Sequence, residues 1–75
     1  LDFEREATDP GKLAGLRRRL QVTTINKQSA ITTYLDEVYE RVRKRRERAG
    51  EEGRPPPGWR TRARAAILRR LDESR

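Results

Sequence analysis

Residues 31–42 of the chain read ITTYLDEVYERV. The large aliphatic residues of this stretch recur at intervals of four, three and four positions, the spacing of one narrow face of an α-helix: Ile31, Leu35, Val38 and Val42. The same face continues with Arg45 and Ala49, where it loses its apolar character. Gly50 follows, and glycine commonly ends helices. The sequence therefore predicts a long central helix over residues 27–49.

The apolar seam of this helix is narrow. A stripe of heptad spacing is typical of a helix that pairs with one other helix. We expect the seam to contact a partner helix, or a second copy of the chain in a homodimer, through four residues: Ile31, Leu35, Val38 and Val42.

A first helix precedes the central one. Thr8-Asp9-Pro10 is a typical start signal, because Asp9 can cap free amides and proline suits the first helical position. Leu13, Leu16 and Leu20 then form one apolar stripe, which predicts a helix over about residues 10–20.

Residues 21–26, QVTTIN, interrupt the helical period. No partner for a short strand is visible in the sequence, so we expect a turn that directs Val22 and Ile25 inward. Asn26 is the expected cap of the central helix.

The C-terminal third begins with a linker at residues 50–58, GEEGRPPPG, which prolines stiffen and glycines bend. Trp59 is expected to anchor its end against the core. A last helix is predicted over residues 60–73, with Ala63, Ile67 and Leu71 on one side. The predicted fold is thus a small all-α, three-helix domain. Its parts are an acidic flexible segment 1–9, a helix-turn-helix-like pair 10–49, the linker, and a basic C-terminal helix 59–75.

The composition excludes several kinds of chemistry. The 75 residues include no cysteine and no histidine, which rules out disulfides, thiolate catalysis, histidine acid–base catalysis and zinc fingers within this sequence. Asp36, Glu37 and Glu40 fall on the expected solvent side of the central helix, and Glu51 and Glu52 fall in the linker, where all are expected to be surface charges. No Gly-rich phosphate loop is present. No apolar run approaches the ~20 residues of a membrane span. We expect no enzyme activity, no cofactor, no metal site and no membrane contact.

The charge is strongly positive, with a formal net charge of +7 and sixteen arginines among nineteen basic residues. The basic residues form three clusters, at 17–19, 41–48 and 54–70. Arginine binds phosphate through a planar fork of donors, and three clusters in so small a chain favour nucleic acid over a merely solvated surface. The arginines predicted to bind phosphate are Arg17, Arg18, Arg19, Arg43, Arg45, Arg46, Arg60, Arg62 and Arg64.

The segment between Thr23 and Thr33 is nearly uncharged and polar, which is the composition used to read base edges. Such residues also start helices simply because they cap them, and both interpretations stay open. The residues predicted to contact bases are Thr24, Asn26, Lys27, Gln28, Ser29, Thr32 and Thr33.

The order helix, short turn, helix over about residues 13–35 resembles a helix-turn-helix, with Leu16, Leu20 and Val22 at its apolar positions. Two residues depart from that motif: Arg17 stands where a small residue is usual and Gln21 where glycine is usual. About four extra residues also precede Ile31. The resemblance implies that the start of the central helix enters the major groove.

These features favour a non-catalytic DNA-binding regulatory or accessory module, in the cytoplasm or on a bacterial nucleoid. Two alternatives remain: a helical module that binds an acidic protein, and an RNA- or ribosome-associated protein. Because the first residue is Leu rather than Met, we expect the sequence to be a piece of a longer product.

Overall fold

The structure is a computed structural model that describes the backbone of residues 2–73 and the side chains of residues 2–72. Over this range all of its regular secondary structure is α-helix, as predicted. The helices are α1 at Asp2–Ala7, α2 at Pro10–Val22, α3 at Lys27–Arg48 and α4 at Trp59–Glu73. The three predicted helices are present, and each bound lies within two residues of its prediction. Residues 74 and 75 of the predicted C-terminal segment lie outside the described part.

The long helix α3 forms the spine, and α1, α2 and α4 pack along it. Its buried face is wider than the predicted seam because Ala30 and Tyr34 join it. Each of Ile31, Leu35, Val38 and Val42 is fully buried within the single chain. The seam is therefore covered by the chain's own helices, which leaves none of its four side chains exposed for the predicted contact with a partner helix or a second copy.

Helix α1 was not predicted, since residues 1–9 were expected to be flexible. Six residues are too few to hold a helix by backbone hydrogen bonds alone, so tertiary packing must stabilise it. Phe3 and Ala7, one helical turn apart, are both buried. The Phe3 ring lies 5.1 Å from the ring of Trp59 and 6.1 Å from that of Tyr39, measured between centroids. This aromatic contact fixes the acidic segment to α3 and α4.

Trp59 is buried, as predicted, and is the first residue of α4. The buried side of α4 continues with Ala63 and Ile67, while Leu68 and Leu71 are partly buried against the same core. The linker therefore ends at Trp59, where the chain packs against the core again.

The helix starts follow the sequence signals. Asp9 Oδ2 accepts a hydrogen bond from the Lys12 amide at 3.2 Å, with Pro10 as the first residue of α2. Asn26 Oδ1 accepts from the amides of Gln28 and Ser29 at 2.8 and 3.2 Å. Both predicted caps are confirmed.

The turn between α2 and α3 differs from its prediction. Helix α2 continues through Val22, and Thr23 ends it in an extended conformation while its hydroxyl donates to the Arg19 carbonyl. Val22 is 73% exposed and Ile25 is 41% exposed. The expectation that both side chains turn inward is wrong, because the core closes on Leu13 and Leu16 of α2 and Ala30 and Ile31 of α3.

Gly50 closes α3 in a left-handed conformation, with a φ of 76°. The Gly50 amide donates to the Glu47 carbonyl at 3.1 Å, and the Glu51 amide donates to the Arg46 carbonyl at 2.8 Å. These two bonds form a Schellman motif, in which a side chain at the glycine position is strained.

We expect Gly50→Ala to lower the free energy of unfolding by about 1 kcal/mol. Gly15→Ala is the matched control, because Gly15 lies inside α2 and a methyl group there meets nothing within 4 Å. That change should raise stability by roughly 0.5–1 kcal/mol. Urea unfolding of both variants measures the difference, and equal effects would contradict the assigned role of Gly50.

Tyr34 links α3 to α1, since its hydroxyl donates to the Ala7 carbonyl at 2.7 Å in a buried position. Burial raises the pKa of Tyr34 to about 12, from 10.0. A tyrosine whose pKa is raised in the folded state stabilises the fold below the unfolded value and loses that effect as the pH rises.

Stability should therefore fall between about pH 10 and pH 12. Tyr34→Phe should cost about 1–2 kcal/mol near neutral pH and should flatten this alkaline loss. Urea unfolding across that pH range tests both expectations, and an alkaline loss that is as steep in the variant would show that another group causes it.

Candidate nucleic-acid interface

The end of α2, the turn and the start of α3 form one continuously exposed segment, since every residue from 21 to 29 is exposed. No acidic residue occurs between positions 10 and 35. Arg64 of α4 reaches this segment from the side. We call the surface made by Arg18, residues 21–29, Thr32, Thr33 and Arg64 the turn surface.

Arg64 connects α4 to the first two turns of α3. One of its amino groups donates to Gln28 Oε1 at 2.6 Å and the other to Thr32 Oγ1 at 2.7 Å. The Thr32 hydroxyl in turn donates to the Gln28 carbonyl at 3.0 Å. These partners are neutral, so the contact orients the guanidinium without cancelling its charge.

The predicted base-contacting residues divide into two groups. Asn26 is occupied by capping, and Gln28 and Thr32 are held by Arg64, so these three side chains have structural partners. Thr24, Lys27, Ser29 and Thr33 are exposed, and their side chains make no hydrogen bond or ion pair within residues 2–72. Asn26 and Gln28 are the two amide side chains of the segment, and both already have hydrogen-bond partners within the domain. A contact of either amide with a base would therefore compete with these bonds.

Six of the nine arginines predicted to bind phosphate are paired with carboxylates of the same chain. On α2 and α4, Arg19 pairs with Glu37 at 3.6 Å, Arg60 with Asp36 at 2.8 Å and Arg62 with Glu4 at 2.8 Å. The three from α3 are Arg43, Arg45 and Arg46, described next.

The arginines in the C-terminal half of α3 mostly hold the fold together. Arg43 lies between Glu40 and Glu47, and its hydrogen bond to Glu40 raises the pKa of its guanidinium. Arg45 contacts Glu6 at 3.5 Å. Arg46 contacts Asp2 at 3.4 Å, donates to the Glu52 carbonyl at 3.0 Å and lies over the Phe3 ring. Each of the three therefore already makes a contact within the domain, which competes with the phosphate contact predicted for it.

Three basic residues of the turn surface lack such partners. Arg18 and Lys27 are exposed, and Arg64 bonds only to neutral groups. Within the described side chains, none of the three has a carboxylate within ion-pair distance. Arg17, the remaining predicted arginine, is half-buried on α2. The uncompensated positive charge of the predicted site is thus concentrated where the polar segment is exposed.

Glu6 is the centre of the charge network that sequence analysis missed. Its side chain is only 12% exposed and contacts Lys12 at 3.0 Å, Arg41 at 3.3 Å and Arg45 at 3.5 Å. Burial acts to raise the pKa of Glu6, but the hydrogen bond and charge of Lys12, with those of the two arginines, outweigh it. The pKa of Glu6 is consequently lowered from 4.5.

A carboxylate with a lowered pKa stabilises the fold above its unfolded value and loses that effect as the pH falls. We expect Glu6→Gln to cost about 1 kcal/mol at neutral pH, and the difference from wild type to shrink as the pH falls below 4.5. Thermal unfolding from neutral to acidic pH measures it. A difference that stays constant on acidification would show that the charge of Glu6 does not matter.

A shallow groove of about 200 Å³ lies between α2 and α3. Its lining combines an open glycine, apolar residues and three cations with one carboxylate: Lys12, Gly15, Leu16, Arg19, Tyr34, Glu37 and Arg41. The Tyr34 hydroxyl donates to the Ala7 carbonyl.

In residues 2–73, no helix combines the length and the apolar character that a membrane span requires. The described residues also contain no group of three or more acidic, histidine or cysteine side chains placed to hold a metal ion.

Comparison with known proteins returned no matching family model, no similar curated protein and no similar solved structure.

Proposed function

We propose that this chain is a non-catalytic module that binds duplex nucleic acid, DNA in preference to RNA, through the turn surface. One observation carries the proposal. Arg18, Lys27 and Arg64 have no carboxylate partner among the described side chains. Arg18 and Lys27 lie in a stretch free of acidic residues, on either side of the exposed polar residues 21–26, and Arg64 bonds to Gln28 and Thr32. Positive charge that the protein itself leaves uncompensated is available to displace the counterions of a phosphate backbone.

The start of α3 is the part that fits a groove. Lys27 is its first residue, where the helix dipole adds to the attraction for phosphate. Ser29 and Thr33, one turn apart, present hydroxyls outward from the first two turns and can bond to base edges or phosphates. Asp36, Glu37 and Glu40 are exposed further along the helix, and their ion pairs with Arg60, Arg19 and Arg43 leave little net positive charge there to attract phosphate. The helix therefore enters the groove only by its N-terminal end.

The proposed binding site contains fewer residues than the predicted one. Arg18, Lys27 and Arg64 grip phosphates, Ser29 and Thr33 contact bases or sugar-phosphates, and Thr24 flanks them. Arg45, Arg46 and Arg62 instead contact α1 or the linker, and Arg43 pairs with Glu40 and Glu47 within α3. A regulatory or accessory protein of this type would act in the cytoplasm, or on the nucleoid if the source is bacterial.

Binding to three labelled probes at equal low salt tests the proposal: a mixed-sequence DNA duplex, the corresponding single strand and a structured RNA hairpin. Fluorescence anisotropy should show the tightest binding to the duplex. The scarcity of aromatic residues on the turn surface gives single strands no platform for stacking. Tighter binding to the hairpin would replace DNA with RNA as the ligand, and no binding to any probe would refute the proposal.

A further inference from the structure

Val22 and Ile25 are the exposed large hydrophobic residues of the described chain, and both lie on the turn surface. Val22 is the last residue of α2, and Ile25 immediately precedes the cap of α3. The core is fully formed without them. The folded domain therefore holds two branched apolar side chains in water beside its unpaired cations, Arg18 and Lys27.

The surroundings of this pair limit what can cover it. Two side chains alone are too few to form an apolar patch of the size that supports a stable dimer. A second copy would also bring its own Arg18 and Lys27 against those of the first, and like charges in contact are unfavourable. A partner must therefore be negatively charged around small apolar groups.

The major groove of DNA combines these two properties. Its walls are phosphates, and its only apolar group is the C5 methyl of thymine. We infer that Val22 and Ile25 contact thymine methyl groups when the turn surface binds duplex DNA, so that the module prefers sites containing A·T pairs. This inference rests on the proposed function and adds a source of sequence preference to it. Part of the sequence preference then comes from apolar contact with the methyl groups. Asn26 and Gln28, whose amides could otherwise read bases, already form hydrogen bonds within the domain.

Two duplexes of the same alternating A·T sequence isolate the methyl group, one containing thymine and the other deoxyuridine in its place. Wild-type protein should bind the thymine duplex about fourfold more tightly for each methyl group that it buries. Val22→Ser together with Ile25→Ser removes every methyl group of the two side chains at exposed positions. The double variant should bind both duplexes equally and should melt at the wild-type temperature.

Lys27→Gln is the matched control. It removes a phosphate contact, so it should weaken binding to both duplexes by the same factor and leave their ratio unchanged.

Four results overturn the inference. Equal wild-type affinities for the two duplexes, or a preference that persists in the double variant, show that Val22 and Ile25 do not read methyl groups, while the proposed function stands. Self-association of the wild type that the double variant abolishes assigns the pair to a second copy instead. Absence of binding to either duplex at low salt refutes the proposed function itself and the inference with it.

Discussion

Replacing Phe3 by alanine is expected to destabilise the domain by about 3–5 kcal/mol, the typical cost of truncating a fully buried aromatic residue. Phe3 is 1% exposed and packs on Tyr39 and Trp59. Its loss also releases α1, whose six residues cannot stay helical without packing. Asp2 and Glu4 would then leave their arginine partners on α3 and α4. A change of this size is a large part of the stability of a small domain, so partial unfolding at room temperature is the expected result.

Two controls separate the packing of Phe3 from other effects of changing α1. Phe3→Leu keeps an apolar side chain and should cost less than half as much as the alanine change. Arg5→Ala lies on the exposed side of the same helix and should change the free energy of unfolding by no more than about 0.5 kcal/mol. Circular dichroism during urea unfolding measures all three variants. A Phe3→Ala variant as stable as Arg5→Ala would mean that α1 does not belong to the folded core.

The second large effect concerns binding. Changing Arg18, Lys27 and Arg64 together to glutamine is expected to weaken binding to a mixed-sequence duplex on the order of tenfold or more at low salt, because three phosphate contacts are lost. These cations have no carboxylate partner among the described side chains, so their change breaks no ion pair there, while Arg64 also gives up its bonds to Gln28 and Thr32. The loss should be the same for every sequence, since phosphate contacts carry no direct base information.

A control triple with the same change in net charge is available in Arg45, Arg54 and Arg62. Each of these arginines pairs with a carboxylate of the chain, respectively Glu6, Glu52 and Glu4. Changing them to glutamine should weaken duplex binding by no more than about threefold, through long-range charge alone. Anisotropy titrations of both triples give the comparison, with thermal melting to verify folding. Equal losses would show that net charge, rather than the turn surface, determines binding.

The sequence predicts local structure well where a single residue type performs a local task. Asp9 and Asn26 cap the helices that follow them, and Gly50 ends α3. Each of these roles depends on neighbours within a few positions. For that reason the three long helices could be placed to within two residues.

Contacts between distant parts of the chain were harder to predict. The heptad spacing of Ile31 to Val42 indicated a helix partner, but spacing cannot tell whether that partner lies in the same chain. Helix α1 escaped prediction because six residues give little periodic signal. One signal was available: Phe3, the only phenylalanine, stands four residues before Ala7, and the two share one helical face.

The sequence shows how many arginines the chain has, but it does not show which carboxylate each arginine pairs with. Arg41 and Arg45 meet Glu6 across 35 and 39 residues, and Arg62 meets Glu4 across 58. Such pairs depend on how α1 docks, which itself was not predicted. When the paired arginines are set aside, Arg18, Lys27 and Arg64 of the turn surface remain without a carboxylate partner among the described side chains.

The salt dependence of duplex binding tests the central claim most directly, because each released counterion contributes about −0.9 to the slope of the logarithm of affinity against the logarithm of salt concentration. Wild-type protein should show a steep negative slope. The triple variant at Arg18, Lys27 and Arg64 should show a slope shallower by about 2.7. An identical slope for the two proteins, or a wild-type affinity that salt leaves unchanged, would contradict the assignment of phosphate binding to these three side chains.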